Sequence, residues 1–172
     1  MSKHPPIQIV DENDNPIRAA GMDETYQKGL RHRIIHIFVE DPDGNVLLQK
    51  RSTSMATFPN NWDVSVGGHV DEGESYETAA LREMQEELGI SGYELQEIDS
   101  FYKEITLGSR QVKRFIKVYK TVIPADTPLK PDPDEVAEVR WFDREALKKL
   151  VAEAPNSLTD SMQGYFKKFG YL

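Results

Sequence analysis

The sequence predicts a mixed α/β fold in which helices cover both faces of a mixed sheet. Three observations carry that expectation. Strand-like runs of Ile, Val and Phe recur up to residue 66, one helix-periodic stretch rich in glutamate follows, and further strand-like runs precede two helical stretches at the end. With 172 residues the chain can bury one sizeable core, so residues 1–172 are expected to form a single domain carrying both scaffold and site.

The elements follow in order. Residues 7–10 and 16–20 read as short strands around the turn-forming run DENDNP, an opening hairpin. Residues 33–39 and 45–49 read as a second hairpin about a DPDG turn at 41–44. A loop over 51–61 leads to a strand at 62–66, the pair Gly67 and Gly68, and a helix over residues 76–88, with Ser75 as N-cap and Gly89 at C′. Strands over residues 93–104 and 111–123 flank a turn at 107–109. Four prolines between residues 124 and 133 exclude regular structure there and predict a surface loop ahead of a strand at 136–142. Helices over 144–152 and 158–168, the second with Ser157 as N-cap, close the chain. No internal repeat interrupts the order.

Charge and composition narrow the chemistry. Lys and Arg number 21 against 29 Asp and Glu, a net charge of −8, which disfavours a broad basic surface for nucleic acid or an anionic membrane. An anionic small-molecule substrate would then need bridging cations. The chain has no cysteine, which excludes disulfides, thiolate zinc sites and thiol nucleophiles and is compatible with a reducing cytoplasm. The start, MSKHPPIQIVDEND, has neither the basic region nor the apolar run of a signal peptide, and no stretch of about 18 apolar residues occurs. A soluble, cytoplasmic protein is expected.

The stretch from Gly68 to Ile90, GHVDEGESYETAALREMQEELGI, carries the candidate site. On its helix Glu83, Glu86 and Glu87 stand at i, i+3 and i+4 and share a sector of roughly 100°, with Ala80, Leu81, Met84 and Leu88 in another. Like charges on one face cost a few tenths of a kcal/mol per pair, so the cluster calls for solvent or for cations. Oxygen-only ligands favour Mg²⁺ or Mn²⁺ over zinc. Gly67 and Gly68 keep Cβ atoms out of a ligand's way, and Glu74 precedes the helix with Arg82 placed to pair with carboxylates. Singly these are a turn glycine, a surface charge or a solvated face. Together they point to a metal-binding phosphohydrolase site.

The full pattern G-x5-E-x7-R-E-U-x-E-E-x-G-U, U being apolar and here Met84 and Ile90, resembles that of the Nudix hydrolases. The resemblance implies an α/β/α sandwich with an N-terminal hairpin extension, and hydrolysis of a diphosphate linked to another moiety. It further implies Glu83, Glu86 and Glu87 as metal ligands, the Gly68 carbonyl as a further one, and Arg82 as the residue orienting the carboxylates. The general base varies in this family, being a box glutamate or an acid outside the box; among Asp132, Asp134, Glu135 and Glu138 in the late loop, Glu135 is the favoured candidate and a solvated loop charge the alternative.

A closer resemblance, over residues 7–141, is to the Nudix branch related to isopentenyl-diphosphate isomerase. His32, Arg51, Phe58, Pro59, Trp62, Gly68 and His69 keep its register. That isomerase places a cysteine where this chain has Gly67, and a glutamate on the strand matching residues 111–115, where no acid occurs; its box lacks the pair Glu83 and Glu86. Isomerase chemistry is therefore disfavoured. Its metal-binding histidines would map on His32 and His69, which are read as relics, as ligand contacts or as structural residues. A non-catalytic nucleotide-binding module is a further alternative. Neither the proline of ADP-ribose hydrolases, sought between Ile90 and Pro124, nor the array of NADH hydrolases is present. Arg51, Lys103, Arg110, Lys113 and Arg114 are candidates for phosphate contact or ordinary surface charge, and Trp62 and Tyr102 for base stacking or core packing. The opening hairpin and late helices are candidates for a homodimer interface.

Overall fold

A computed structural model describes residues 4–172; the part of the N-terminal reading that rests on residues 1–3 lies outside it. In chain order the elements are β1 (Ile7–Val10), β2 (Pro16–Ala20), α1 (Met22–Gln27), β3 (Arg31–Glu40), β4 (Val46–Arg51), β5 (Trp62–Asp63), β6 (Val66–His69), α2 (Tyr76–Leu88), β7 (Gln96–Leu107), β8 (Arg110–Val122), β9 (Val136–Phe142), α3 (Arg144–Glu153) and α4 (Met162–Lys168). This is the expected mixed α/β class, a large sheet with four helices. The chain gathers into two compact units, one of residues up to 36, 67–82 and 95–119, the other of 37–66, 83–94 and 120–172. Among the described residues no helix is long and apolar enough to cross a membrane.

In the first unit β1 and β2 make the expected antiparallel hairpin, from Ile7↔Ala20 to Ile9↔Arg18, with a bulge before Val10. One side chain holds its turn: Asp11 accepts from Asn13 N (2.8 Å), Asn15 N (2.9 Å) and Asn15 Nδ2 (3.0 Å). Ile7, Ile9 and Ala20 are buried together, with Met22 and Leu30 packed against them. Strand β1 pairs with β3 at Ile9↔His32, and Gln8 N donates to Val70 O (3.0 Å). Helix α1 was not foreseen. Its six residues make under two turns, too few for a periodic signal, and Gly21 before it offers no capping side chain.

In the second unit β3 pairs with β4 at Val39↔Leu47 and Glu40↔Val46. Their turn repeats the first turn's device, Asp41 accepting from Asp43 N (2.9 Å), Asn45 N (2.9 Å) and Asn45 Nδ2 (2.7 Å). Strand β4 also lies antiparallel to β5 and, from Val46↔Phe142 to Arg51↔Val136, to β9. The core here includes Phe38, Leu47, Leu147 and Phe166, each under 2% exposed. Two expectations are corrected. The strand foreseen at 62–66 splits into β5 and β6 because Ser65 turns inward: Val39 N donates to its Oγ (2.7 Å), and that Oγ donates to Leu47 O (2.5 Å). The helix foreseen from residue 158 starts at Met162. Leu158 bridges Trp62 in parallel and Thr159 N donates to Trp62 O (3.0 Å), which holds both residues out of a helix. Ser157 ends a 3₁₀ turn, Pro155–Ser157, and its Oγ donates to Ala154 O (2.7 Å) instead of capping.

Helix α2 keeps its foreseen limits. Ser75 Oγ accepts from Thr78 N (3.1 Å) at the start, and Gly89, at φ +69, ends it with Gly89 N donating to Gln85 O (3.0 Å).

Candidate active site

The loop ahead of α2 is held by one guanidinium. Arg82 Nε donates to Glu74 Oε1 (2.8 Å) and its Nη2 to Glu74 Oε2 (2.9 Å), a two-pronged grip, while Nη2 also donates to His69 O (3.0 Å) and stands 3.6 Å from Asp71 Oδ2. Glu74 Oε2 accepts from Asp71 N as well (3.0 Å). Arg82 beside it holds the Glu74 carboxyl below its usual range. The E-x7-R spacing therefore encodes a clamp closing residues 69–74 on the second turn of α2. Asp71 had no signal of its own in the sequence. Gly67 and Gly68 lie within β6.

The three glutamates of α2 differ in depth. Glu86 is exposed, Glu83 half-buried and Glu87 only 4% exposed. The foreseen separation of an acidic and an apolar sector needs correcting at both edges. Glu87 falls between the buried Tyr76 and Ala80 in angle, and Leu81, placed with the apolar set, is 41% exposed. Gln49, itself 3% exposed, donates through Nε2 to Glu87 Oε2 (2.8 Å), a partner that nothing in the sequence indicated. The C-terminal end of the helix is closed by the proline-rich loop: Asp132 N donates to Glu87 O (3.1 Å) and Lys130 N to Leu88 O (2.8 Å). That approach explains the glycine after α2, because a Cβ on Gly89 would stand 2.9 Å from Lys130 Cβ.

Other candidates are placed as follows. Arg51 Nε donates to Thr57 O (3.0 Å) and its Nη1 pairs with Asp63 Oδ2 (3.3 Å), which ties it to its own loop. Glu135 sits in the turn before β9, where its carbonyl accepts from Ser52 N (2.8 Å) and its N–H donates to Asp132 O (3.1 Å). Asp132 Oδ1 accepts from Asp134 N (2.9 Å), and Glu138 is exposed on β9. Trp62 is 5% exposed and packs edge-on against Phe142 at 5.1 Å, a core residue. Tyr102 is 38% exposed, donates to Glu104 (2.5 Å) and lies 4.9 Å from Phe115. Arg110 is exposed at the β7–β8 turn and Lys103 and Lys113 are half-buried.

His32 and His69 stack at 5.5 Å between ring centres, and Tyr26, from the unforeseen α1, meets both edge-on. Tyr26 Oη and His69 Nε2 are 2.9 Å apart. Burial holds the His32 imidazole down at about 4, and burial, with His32 and the charges of Arg114 and Arg82 nearby, holds His69 well below its usual value. Both rings are neutral at pH 7.

A family model described as NUDIX domain matches residues 30–161. Over 155 residues the chain is 35% identical to an isopentenyl-diphosphate Delta-isomerase 2 of Photorhabdus laumondii, covering 89% of this chain and 85% of that protein. Over 86 residues it is 46% identical to an uncharacterized Nudix hydrolase of Streptomyces coelicolor, a match spanning 50% of this chain and 48% of that relative. A crystal structure of DR0079 from Deinococcus radiodurans superposes with a TM-score of 0.68 at 27% identity, over 87% of this chain and 90% of that one. The chain belongs to the Nudix hydrolase family, whose enzymes act on pyrophosphate bonds, and it is a hydrolase of that class.

Proposed function

We propose that residues 1–172 work as one catalytic domain, a divalent-metal-dependent diphosphohydrolase acting on a nucleoside diphosphate linked to another moiety or on a related organic diphosphate. The observation that carries this reading is the set of three carboxylates on one helix, graded from exposed Glu86 to buried Glu87. Among the described residues no three His, Asp or Glu side chains are gathered closely enough to hold a metal as they stand. The donor set still suits a hard dication, because its ligands are all oxygen and Glu86 is exposed.

In this reading Glu83, Glu86, Glu87 and the Gly68 carbonyl hold the ion. Bound there, Mg²⁺ or Mn²⁺ would polarise phosphoryl oxygens and make a water more acidic. Arg82 fixes Glu74 and the loop backbone so that the box does not move as substrate enters. Glu135 is the proposed base, taking the proton of a water whose oxygen bonds to phosphorus while the bridging P–O bond breaks and its electron pair leaves with the departing phosphate. Arg51, Gly67 and Gly68 are proposed to line the substrate's path, with Glu74 supporting them. A cytoplasmic location and a homodimer are part of the same proposal.

The similarity to an isopentenyl-diphosphate Delta-isomerase favours one second reading, an alkene isomerase on the same scaffold. It lacks that branch's thiol here, because Gly67 stands where the isomerase branch has cysteine and the chain has none elsewhere. The deciding test is release of product from a panel of nucleotide sugars, dinucleotides, nucleoside triphosphates, coenzyme A and isoprenoid diphosphates with Mg²⁺ or Mn²⁺, beside Glu86→Gln. Metal-dependent hydrolysis lost in that variant supports the proposal; isomer exchange without phosphate release, or turnover undiminished in Glu86→Gln, overturns it.

A further inference from the structure

The first unit holds a polar cluster that the proposed hydrolysis leaves unused. His32 is 1% exposed on β3, stacked on His69 of β6, with Tyr26 of α1 edge-on to both. His32 Nδ1 lies 2.9 Å from Leu30 O. A carbonyl only accepts, so Nδ1 carries the hydrogen and Nε2 of the neutral ring is a bare acceptor. That Nε2 is buried without a hydrogen-bond partner, and so is Nε of Arg114 on β8, which is a donor. Arg114 also acts as a positive charge on both imidazoles.

Buried polar atoms are nearly always partnered, so an unpartnered acceptor on β3 and an unpartnered donor on β8, the strand paired with it, are matched by a group that donates to the first and accepts from the second. A divalent cation would suit His32 Nε2 but is repelled by Arg114. A fully deprotonated anion would suit Arg114 but offers His32 no hydrogen. A water could bridge the two but brings no negative charge to the guanidinium of Arg114. An oxyanion that still carries one O–H meets all three demands.

We propose that this cluster is a binding site for a singly protonated phosphoryl group, with an anionic oxygen accepting from Arg114 Nε and the P–OH donating to His32 Nε2. Tyr26 and His69 wall the site, with Tyr26 Oη and His69 Nε2 engaged with each other at 2.9 Å. The site needs no divalent ion, so its failure and that of the hydrolase reading are separable.

The test is side-chain ¹⁵N NMR and calorimetry on the wild-type chain in chelator, titrated with inorganic phosphate, with ribose 5-phosphate, and with sulfate, which is tetrahedral but has no proton to donate at neutral pH. Saturable binding of phosphate that shifts His32 Nε2 toward a hydrogen-bonded value, at least tenfold weaker for sulfate, supports the site. Tighter binding of the sugar phosphate assigns it to a phosphoryl group tethered to a larger ligand, and equal binding to the free ion. Arg114→Met should weaken phosphate at least tenfold. No saturable shift at His32, equal affinity for sulfate, or a His32 response to Mn²⁺ alone and not to phosphate would each overturn the proposal without any variant having to fold.

Discussion

Replacing Arg82 by methionine removes two charge-assisted hydrogen bonds to Glu74, at 2.8 and 2.9 Å, and one to His69 O at 3.0 Å. Such bonds are each worth roughly 1.5–3 kcal/mol in a well-shielded setting. The Arg82 and Glu74 side chains are 25% and 17% exposed, so solvent screens part of that, and a total loss of roughly 2–4 kcal/mol is expected. In a chain of this size each kcal/mol lowers the melting midpoint by about 2–4 °C, so thermal unfolding should shift down by roughly 5–15 °C. Arg82→Lys keeps the charge but not the two-pronged geometry, and should recover less than half of the loss. The assay is a double-mutant cycle with Glu74→Gln, followed by thermal and urea unfolding without metal. If Arg82 acts through Glu74, the second substitution adds little to the first, and the coupling energy is at least about 1 kcal/mol. Losses that simply add, within roughly 0.5 kcal/mol, would refute the clamp.

Gly89→Ala should destabilise by roughly 2–3 kcal/mol in urea unfolding, combining a left-handed φ of +69 with a Cβ at 2.9 Å from Lys130 Cβ. Adding Lys130→Gly should return the contact part and leave the backbone part. His32 supplies a pH dependence. Its folded value of about 4 lies below the unfolded 6.5, so its contribution is fully present above pH 6.5 and is lost as pH falls toward 4, roughly 3 kcal/mol over that window. Stability measured between pH 7 and 4 should fall less steeply in His32→Gln; an unchanged slope would count against the buried neutral ring.

The parts of this fold legible in the sequence are those whose determinants are local. Helix α2 was bounded correctly because Ser75 and Gly89 flank it, β1 and β2 because DENDNP lies between them, and β9 because prolines end just before it. The elements that escaped depend on distant partners. Nothing near Leu158 shows that Trp62 will draw it into a bridge, and nothing near Ser65 shows that its hydroxyl will bond to Val39 and Leu47. The candidate site divides in the same way. The pairing of Arg82 with Glu74 is written in a seven-residue gap, whereas Gln49 reaches Glu87 across 38 positions, and the sequence offers Arg114 as one candidate phosphate contact among five without showing that its Nε is buried and unpartnered.

Depth along α2 assigns different burdens to carboxylates that the sequence makes look alike. Glu86 is exposed, so Glu86→Gln should leave stability within about 0.5 kcal/mol of wild type while turnover is lost. Glu87 is buried and accepts from the equally buried Gln49, so Glu87→Ala strands an amide donor and should cost roughly 1–3 kcal/mol even without metal. Glu87→Gln can still present an oxygen to Gln49 and should restore most of that stability but not the turnover, since its charge is gone. Unfolding without metal, paired with turnover in Mg²⁺, therefore tests the proposed ligand role of each glutamate apart from the bond by which Glu87 holds Gln49. If Glu86→Gln destabilised the metal-free protein as much as Glu87→Ala does, the graded depths would not govern the roles, and the three glutamates would have to be treated as one structural cluster.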